Sequence, residues 1–296
     1  MPYPTITYDE PLFRPPSEGN SLILQITLGC SWNRCAFCEM YTSKKFRVRN
    51  EEDVFREIEI LSKMLPETRK VFLADGNAMV LSSSKLLKIL EKINSSFPKI
   101  NRISAYALPS DILKKAPEEL ELLRSHKLKL IYVGIESGDD ELLKVVNKGE
   151  TFQTTIEGLN KAKNAGIDSS VMILTGLGGK EYSEQHAINS AKVLNETQPH
   201  FASTLVLSFP YGEEHYRKKF KGNFISMSTM DYLKEMEILL RHTELESTIF
   251  RSDHASNYLV LKGVLSRDKD KFLKQIRFAI ENPDLANLRP EWLRGL

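Results

Sequence analysis

Short apolar runs rich in β-branched residues alternate along this chain with amphipathic stretches, from residue 21 to about residue 208. Strands are expected at residues 21–27, 70–75, 102–106, 129–134, 169–175 and 202–208. Helices are expected at 50–65, 83–97, 118–126, 140–146, 152–165 and 183–195. The strands show little apolar–polar alternation, which is what a strand reads like when protein covers both of its faces. Repeated βα units of this kind predict a parallel sheet with right-handed crossovers. The pattern leaves an open doubly wound sheet and a partial TIM-like barrel both open.

After residue 208 the rhythm changes. Residues 209–213 read as a turn and 217–221 as a basic run, while helices at 230–242 and 268–280 flank an extended stretch at 247–252. We therefore expect an irregular leader over 1–20, a core over 21–210, and a C-terminal α/β extension over 211–296 packed on that core and closing its mouth. The leader carries Pro11, Pro15 and Pro16.

Composition changes this picture little. The chain has 296 residues, 41% hydrophobic and 27% charged, with 41 Lys and Arg against 39 Asp and Glu. That near-balance argues against a dedicated non-specific DNA binder, and nucleic acid stays open as a partner without being indicated. No run approaches the roughly 18 apolar residues of a membrane span. The N-terminus has neither the basic start nor the apolar stretch of an export signal, so no membrane partner and a cytoplasmic location are expected.

Cysteine usage carries the most information. The chain's 3 cysteines all fall in Cys30-Ser-Trp-Asn-Arg-Cys35-Ala-Phe-Cys38, directly after the first expected strand. That puts the thiols in a loop at a strand's C-terminal end, where parallel α/β proteins build their active sites. Three clustered thiolates in a reducing compartment point to metal, and can hold three irons of a [4Fe–4S] cluster whose last iron then takes another ligand or stays open. Zinc with three cysteines and a histidine is the alternative, although none of the histidines lies nearby in sequence; inert buried thiols are the third reading.

At this point the chain resembles the radical S-adenosylmethionine superfamily. The family motif has three residues in its first cysteine gap and two in its second; here the first gap holds four, residues 31–34, and the second keeps the aromatic before the last cysteine as Phe37. Ala74-Asp-Gly-Asn77 stands where the family has a Gly-Gly-Glu-like element. Gly134-Ile-Glu-Ser-Gly138 looks like the element of the methylthiotransferase and coproporphyrinogen oxidase branches, and Ile173-Leu-Thr-Gly-Leu-Gly178 like the Gly-rich adenine-side segment. Each alone is ordinary turn chemistry; in sequence, at successive strand ends downstream of the cysteines, they agree.

The resemblance implies a (β/α)6-type partial TIM-like barrel, spanning about residues 20–210, that binds one [4Fe–4S] cluster and S-adenosylmethionine. It implies Cys30, Cys35 and Cys38 as cluster ligands, Phe37 and Gly176 near adenine, backbone of Asp75, Gly76 and Asn77 near the amine, and Glu136 and Ser137 near ribose or carboxylate. One electron, from a donor such as a flavodoxin or ferredoxin, would cleave the sulfonium to a 5′-deoxyadenosyl radical that takes hydrogen from an organic substrate the sequence does not identify. With no further cysteines, no auxiliary cluster is expected, and the chain reads as a compact single-cluster enzyme. An iron–sulfur or electron-transfer protein that leaves S-adenosylmethionine intact is the competing class.

Three other features have competing readings. Arg34 either tunes the cluster or faces solvent. The run 44–49 either attracts a phosphate-bearing substrate or is a solvated face. Residues 250–258 pack Arg251, Asp253, His254, Asn257 and Tyr258 together. This segment either contacts substrate, with His254 as a candidate catalytic group, or ties the extension down.

Overall fold

The computed structural model describes residues 6–294. Its elements run β1 (Leu22–Gln25), β2 (Thr27–Leu28), β3 (Arg47–Val48), α1 (Glu51–Met64), β4 (Lys70–Ala74), α2 (Ser83–Ser96), β5 (Arg102–Tyr106), α3 (Pro109–Leu113), α4 (Pro117–Ser125), β6 (Leu128–Glu136), α5 (Asp140–Val145) and α6 (Phe152–Asn164). There follow β7 (Asp168–Thr175), α7 (Gly179–Thr197), β8 (Phe201–Val206), α8 (Glu213–Lys219), α9 (Thr229–Arg241), β9 (Ile249–Ser252), β10 (Leu261–Val264) and α10 (Leu265–Glu281). The chain divides into two compact units. Among the described residues, the first comprises those up to 33, 38–133 and 157–169; the second comprises 34–37, 134–156 and those from 170 onward.

In the first unit β1, β4, β5 and the start of β6 pair in parallel, with Leu22 opposite Val71, Val71 opposite Ile103 and Ala105 opposite Ile131. Phe72, Leu73 and Ala74 are all fully buried, so β4 lacks alternation because both its faces are covered. Helix α1 starts where the Asn50 side chain accepts the Glu52 N–H at 2.8 Å, with Glu51, Glu52 and Asp53 in its first turn; cap and acids satisfy and neutralise the helix start. It buries Val54, Ile58 and Leu61, and α2 buries Leu86, Ile89, Leu90 and Ile93, each such side chain contributing about 1.5–3 kcal/mol. The described part of the leader, residues 6–20, is irregular but for one turn of 3-10 helix, Pro16–Glu18. It buries Glu18, which accepts hydrogen bonds from Tyr132 Oη at 2.6 Å and Arg102 at 2.7 Å.

In the second unit β7, β8 and β9 pair in parallel, Ser170 with Phe201 and Phe201 with Ile249, and β10 pairs antiparallel to β9. The stretch expected to be merely extended at 247–252 thus continues the sheet as β9, and β10 adds an edge strand the hydrophobic pattern did not predict. One cluster packs Leu142, Val146, Leu177, Tyr216, Phe220 and Phe224; Phe250 of β9 meets Phe272 of α10, which also buries Ile276. The basic run at 217–221 falls at the end of α8, where Arg217, Lys218 and Lys219 complement the helix dipole. The expected α/β class with a mostly parallel sheet holds. Among the described residues no helix is long and apolar enough to cross a membrane.

Candidate functional site

The division between the units falls inside the cysteine loop, so its residues are described unit by unit. Cys30 and Cys38 belong to the first, Cys35 and Phe37 to the second. None of the three is in a disulfide among the described residues, and all are half-buried.

In the first unit the loop leaves the β2–β3 ribbon and is tied to the end of β4. Gly76 donates its N–H to Gly29 O at 3.2 Å, and a β-carbon on Gly76 would stand 2.9 Å from that of Cys30; glycine is there because the two backbones meet. Asp75 is fully buried. Its Oδ2 accepts the Gly29 N–H at 3.1 Å and the Lys44 ammonium at 2.8 Å. Burial raises the Asp75 carboxyl above the ordinary range, against the pull of Lys44. Oδ2 is therefore committed to holding the cysteine loop, while Oδ1 is buried without a hydrogen-bond partner. Asn77 donates to Asp111 Oδ2 at 2.6 Å and to Ser31 Oγ at 2.9 Å, while its own Oδ1 is buried without a hydrogen-bond partner. Within the loop Asn33 adopts a left-handed backbone, φ 46°, and donates to Tyr41 O at 2.8 Å.

In the second unit β6 ends at Glu136, whose φ is 63°. The side chain folds back so that a β-carbon on Gly134 would come 2.1 Å from Glu136 Oε1, which is why the Gly-x-Glu spacing needs its glycine. Glu136 Oε1 lies 3.2 Å from Lys148 Nζ, and its Oε2 is buried with no hydrogen-bond partner. Desolvation raises this carboxyl, opposed by Lys148. Lys148 also sits 5.8 Å from the centre of the Phe37 ring. The Ser137 hydroxyl is occupied by His186 Nδ1 at 2.8 Å and by the Asp139 N–H at 3.0 Å. Gly176 follows β7 and donates its N–H to Glu235 Oε1 at 2.7 Å. Lys148 and Glu235 were not singled out from sequence.

Farther along the same unit, a cavity of about 200 Å³ opens beyond β8, lined among others by Ser208, Phe209, Glu213, Tyr232, Tyr258 and Arg294. The Tyr232 ring lies against Gly176. Arg217 bonds Glu213, and Arg294 bonds Glu291 while lying 4.1 Å over the Tyr258 ring. Tyr258 thus reaches the cavity. His254 is turned to its own loop, where Nδ1 accepts the Ser256 N–H at 3.1 Å. Arg289 donates to the carbonyls of His254, Ala255 and Asn257.

The run at 44–49 is mostly spent internally: Lys44 on Asp75, Arg47 on Asp9 and Arg49 on Glu57. Arg34 is exposed. Among the described residues no three His, Cys, Asp or Glu side chains group as ligands of a single ion, so the zinc alternative has no ligand set. A [4Fe–4S] cluster asks something different, because each thiolate takes a different iron. Each unit thus leaves buried acceptors at a strand end without a partner, among them Asp75 Oδ1 and Asn77 Oδ1 in the first and Glu136 Oε2 in the second.

A parallel α/β fold with a three-thiol loop after its first strand sets the class of this protein. Residues 24–191, more than half of the chain, match the Radical SAM superfamily, and the chain belongs to that superfamily. Its members use a [4Fe–4S] cluster and S-adenosylmethionine and need a substrate and an electron donor.

Among curated proteins the chain is similar to a tRNA-2-methylthio-N(6)-dimethylallyladenosine synthase of Chloroherpeton thalassium, 23% identical over 88% of this chain and 57% of that one. It is also similar to an uncharacterized protein of Methanocaldococcus jannaschii, 27% identical over 69% of this chain and 43% of that one. The chain thus spans about half the length of these curated relatives. Among solved structures it resembles the coproporphyrinogen III oxidase HemN of Escherichia coli, with TM-score 0.57 and 17% identity over 75% of this chain and 52% of that one. It also resembles the methyltransferase TsrM of Kitasatospora setae, with TM-score 0.51 and 21% identity over 63% and 36%. These two likenesses bear on the fold.

Proposed function

We propose that this enzyme starts a radical reaction on a small organic substrate, with the cluster on Cys30, Cys35 and Cys38. Once bound, the cluster and S-adenosylmethionine supply an electron and a 5′-deoxyadenosyl radical; the protein's part is to hold, orient and exclude water. The observation that carries this reading is the Glu136 carboxylate. One oxygen is paired with Lys148 and the other is buried and unsatisfied, which suits it to accept a ribose hydroxyl. Asn77 Oδ1 is the matching acceptor for the amine, Phe37 supplies an apolar face toward adenine, and Gly176 borders the adenine side. Gly76 and Asp75 act through backbone, the Asp75 side chain holding the loop. Ser137 acts through His186 and not by direct contact.

The cavity beside Tyr232 is the substrate's place in this reading. Both of its carboxylates, Glu213 and Glu291, are already paired with arginines, so it suits a neutral, planar group with hydrogen-bonding edges. The substrate itself, a ferredoxin- or flavodoxin-type donor and a cytoplasmic location belong to the same proposal. A second reading, methylthio transfer to an RNA base, is favoured by the Chloroherpeton relative, which aligns over 88% of this chain.

The test is 5′-deoxyadenosine formation by mass spectrometry from anaerobically reconstituted protein with dithionite and S-adenosylmethionine, with Cys35→Ala as control. Product above the control supports the reading. Its absence from protein fully loaded with iron and sulfide means either that cleavage awaits substrate or that the cluster serves the electron-transfer class. A methylthiolated adenosine in added RNA would select the second reading over the first.

A further inference from the structure

Glu235 is a carboxylate in the middle of α9, 1% exposed, with no cation bonded to it. Its Oε1 accepts the Gly176 N–H at 2.7 Å and its Oε2 the Ser183 hydroxyl at 2.6 Å. An acid is costly to bury, and this one is not held by an ion pair. What it does hold is the first residue after β7 together with the first turns of α7. A serine or glutamine in its place would satisfy one of these donors with far less desolvation.

The groups around it define its charge. His186 Nε2 on α7 lies 3.7 Å from Oε1. Burial pushes His186 down to about 4, with Asp139 opposing, so the imidazole is neutral at physiological pH. Tyr232, one turn earlier on α9, is a phenol raised by burial and stays neutral. Helix α10 engages α9 through Arg277 on Glu237, not on Glu235. Burial lifts the Glu235 carboxyl to about 7, against the pull of its hydrogen bonds from Ser183 and Gly176.

We infer that Glu235 is a positioning residue for S-adenosylmethionine: by gripping the Gly176 amide it fixes the strand-end turn against which the adenine side of the cofactor rests. This rests on the function proposed above, and it assigns the C-terminal extension a part in cofactor binding. As the carboxylate, Glu235 offers charge-assisted acceptors to both donors and holds the turn more tightly than the protonated acid does.

The test uses reconstituted wild-type, Glu235→Gln and Glu235→Ala proteins and S-adenosylhomocysteine, which lacks the cleavable sulfonium, as the calorimetric probe. Amide hydrogen exchange at Gly176 is followed in parallel. Glu235→Ala should weaken binding about tenfold, because the Gly176 N–H loses its acceptor, and should speed Gly176 exchange. Glu235→Gln keeps one neutral acceptor, as the protonated acid does, and should bind about fivefold more weakly than wild type at pH 8. Wild type should lose about fivefold in affinity between pH 8 and pH 6, and Glu235→Gln should not.

Equal affinity and equal Gly176 exchange in all three proteins overturns the inference. So does an equal loss in both variants with no pH profile in wild type, the signature of a carboxylate that only holds the fold. Wild type that fails to bind the probe at either pH refutes the proposed function instead.

Discussion

Lys148 Nζ lies 3.2 Å from one oxygen of Glu136 and leaves the other without a partner. Both side chains are almost wholly buried, 7% and 5% exposed. A buried pair contributes little net stability when intact but costs about 3–5 kcal/mol when one member is removed. Lys148 therefore opposes the desolvation that raises the Glu136 carboxyl.

Lys148→Met should destabilise the protein by about 3 kcal/mol at pH 8 and by clearly less at pH 5. The sign follows from the raised Glu136 carboxyl: stability is present while the acid is protonated and is lost as pH rises through its folded-state pKa. Denaturant unfolding at the two pH values checks this. A loss of equal size at both would mean that Lys148 acts by packing and not by charge.

Lys44→Met should leave Asp75 buried with its Gly29 amide but no cation, at a cost of about 3 kcal/mol. Because the same carboxylate grips the cysteine loop, iron loading should fall as well. In the Lys44→Met/Asp75→Asn double variant most of the stability should return, since no uncompensated charge remains. A strictly additive double-mutant cycle would show that the two side chains do not act together.

Cys35→Ala should lose both iron and 5′-deoxyadenosine formation, because two thiolates do not hold the cluster. Iron and sulfide analysis of the anaerobic protein decides it; a variant with normal iron and normal cleavage would remove Cys35 from the ligand set.

His254 is turned to its own loop, not to the cavity as the sequence suggested. His254→Ala should therefore leave both substrate-free cleavage and substrate turnover within about twofold of wild type and lower stability by about 1 kcal/mol through the lost Ser256 hydrogen bond. If cleavage is lost together with turnover, His254 serves the cofactor site or the fold instead.

Much of the fold was legible because short apolar runs such as that of β4 recur between amphipathic helices, and the alternation itself gives the βα order. What escaped was short or mixed. Strand β10 carries Lys262 and Gly263 in four residues, and α3 is a five-residue helix that Pro109 starts. The cysteines and Glu136 were readable because strand-end motifs sit contiguously in sequence. Lys148 was not, since a lysine ordinarily reads as solvated and its burial depends on how the segment after α5 folds back. Glu235 left one usable signal: it stands between Tyr232 and Leu239 on the buried stripe of α9, a charged residue at a core register position.

Asn33 carries the last lesson. A left-handed residue reverses the chain locally, so a loop containing one covers less distance for each residue it uses, and asparagine tolerates that conformation where most residues do not. A four-residue first gap that includes such a kink is therefore no evidence of a wider cluster pocket. Cysteine spacing in this superfamily measures the loop's path as well as its ligands, and a pattern search that fixes the count at three will pass over chains that take the longer route.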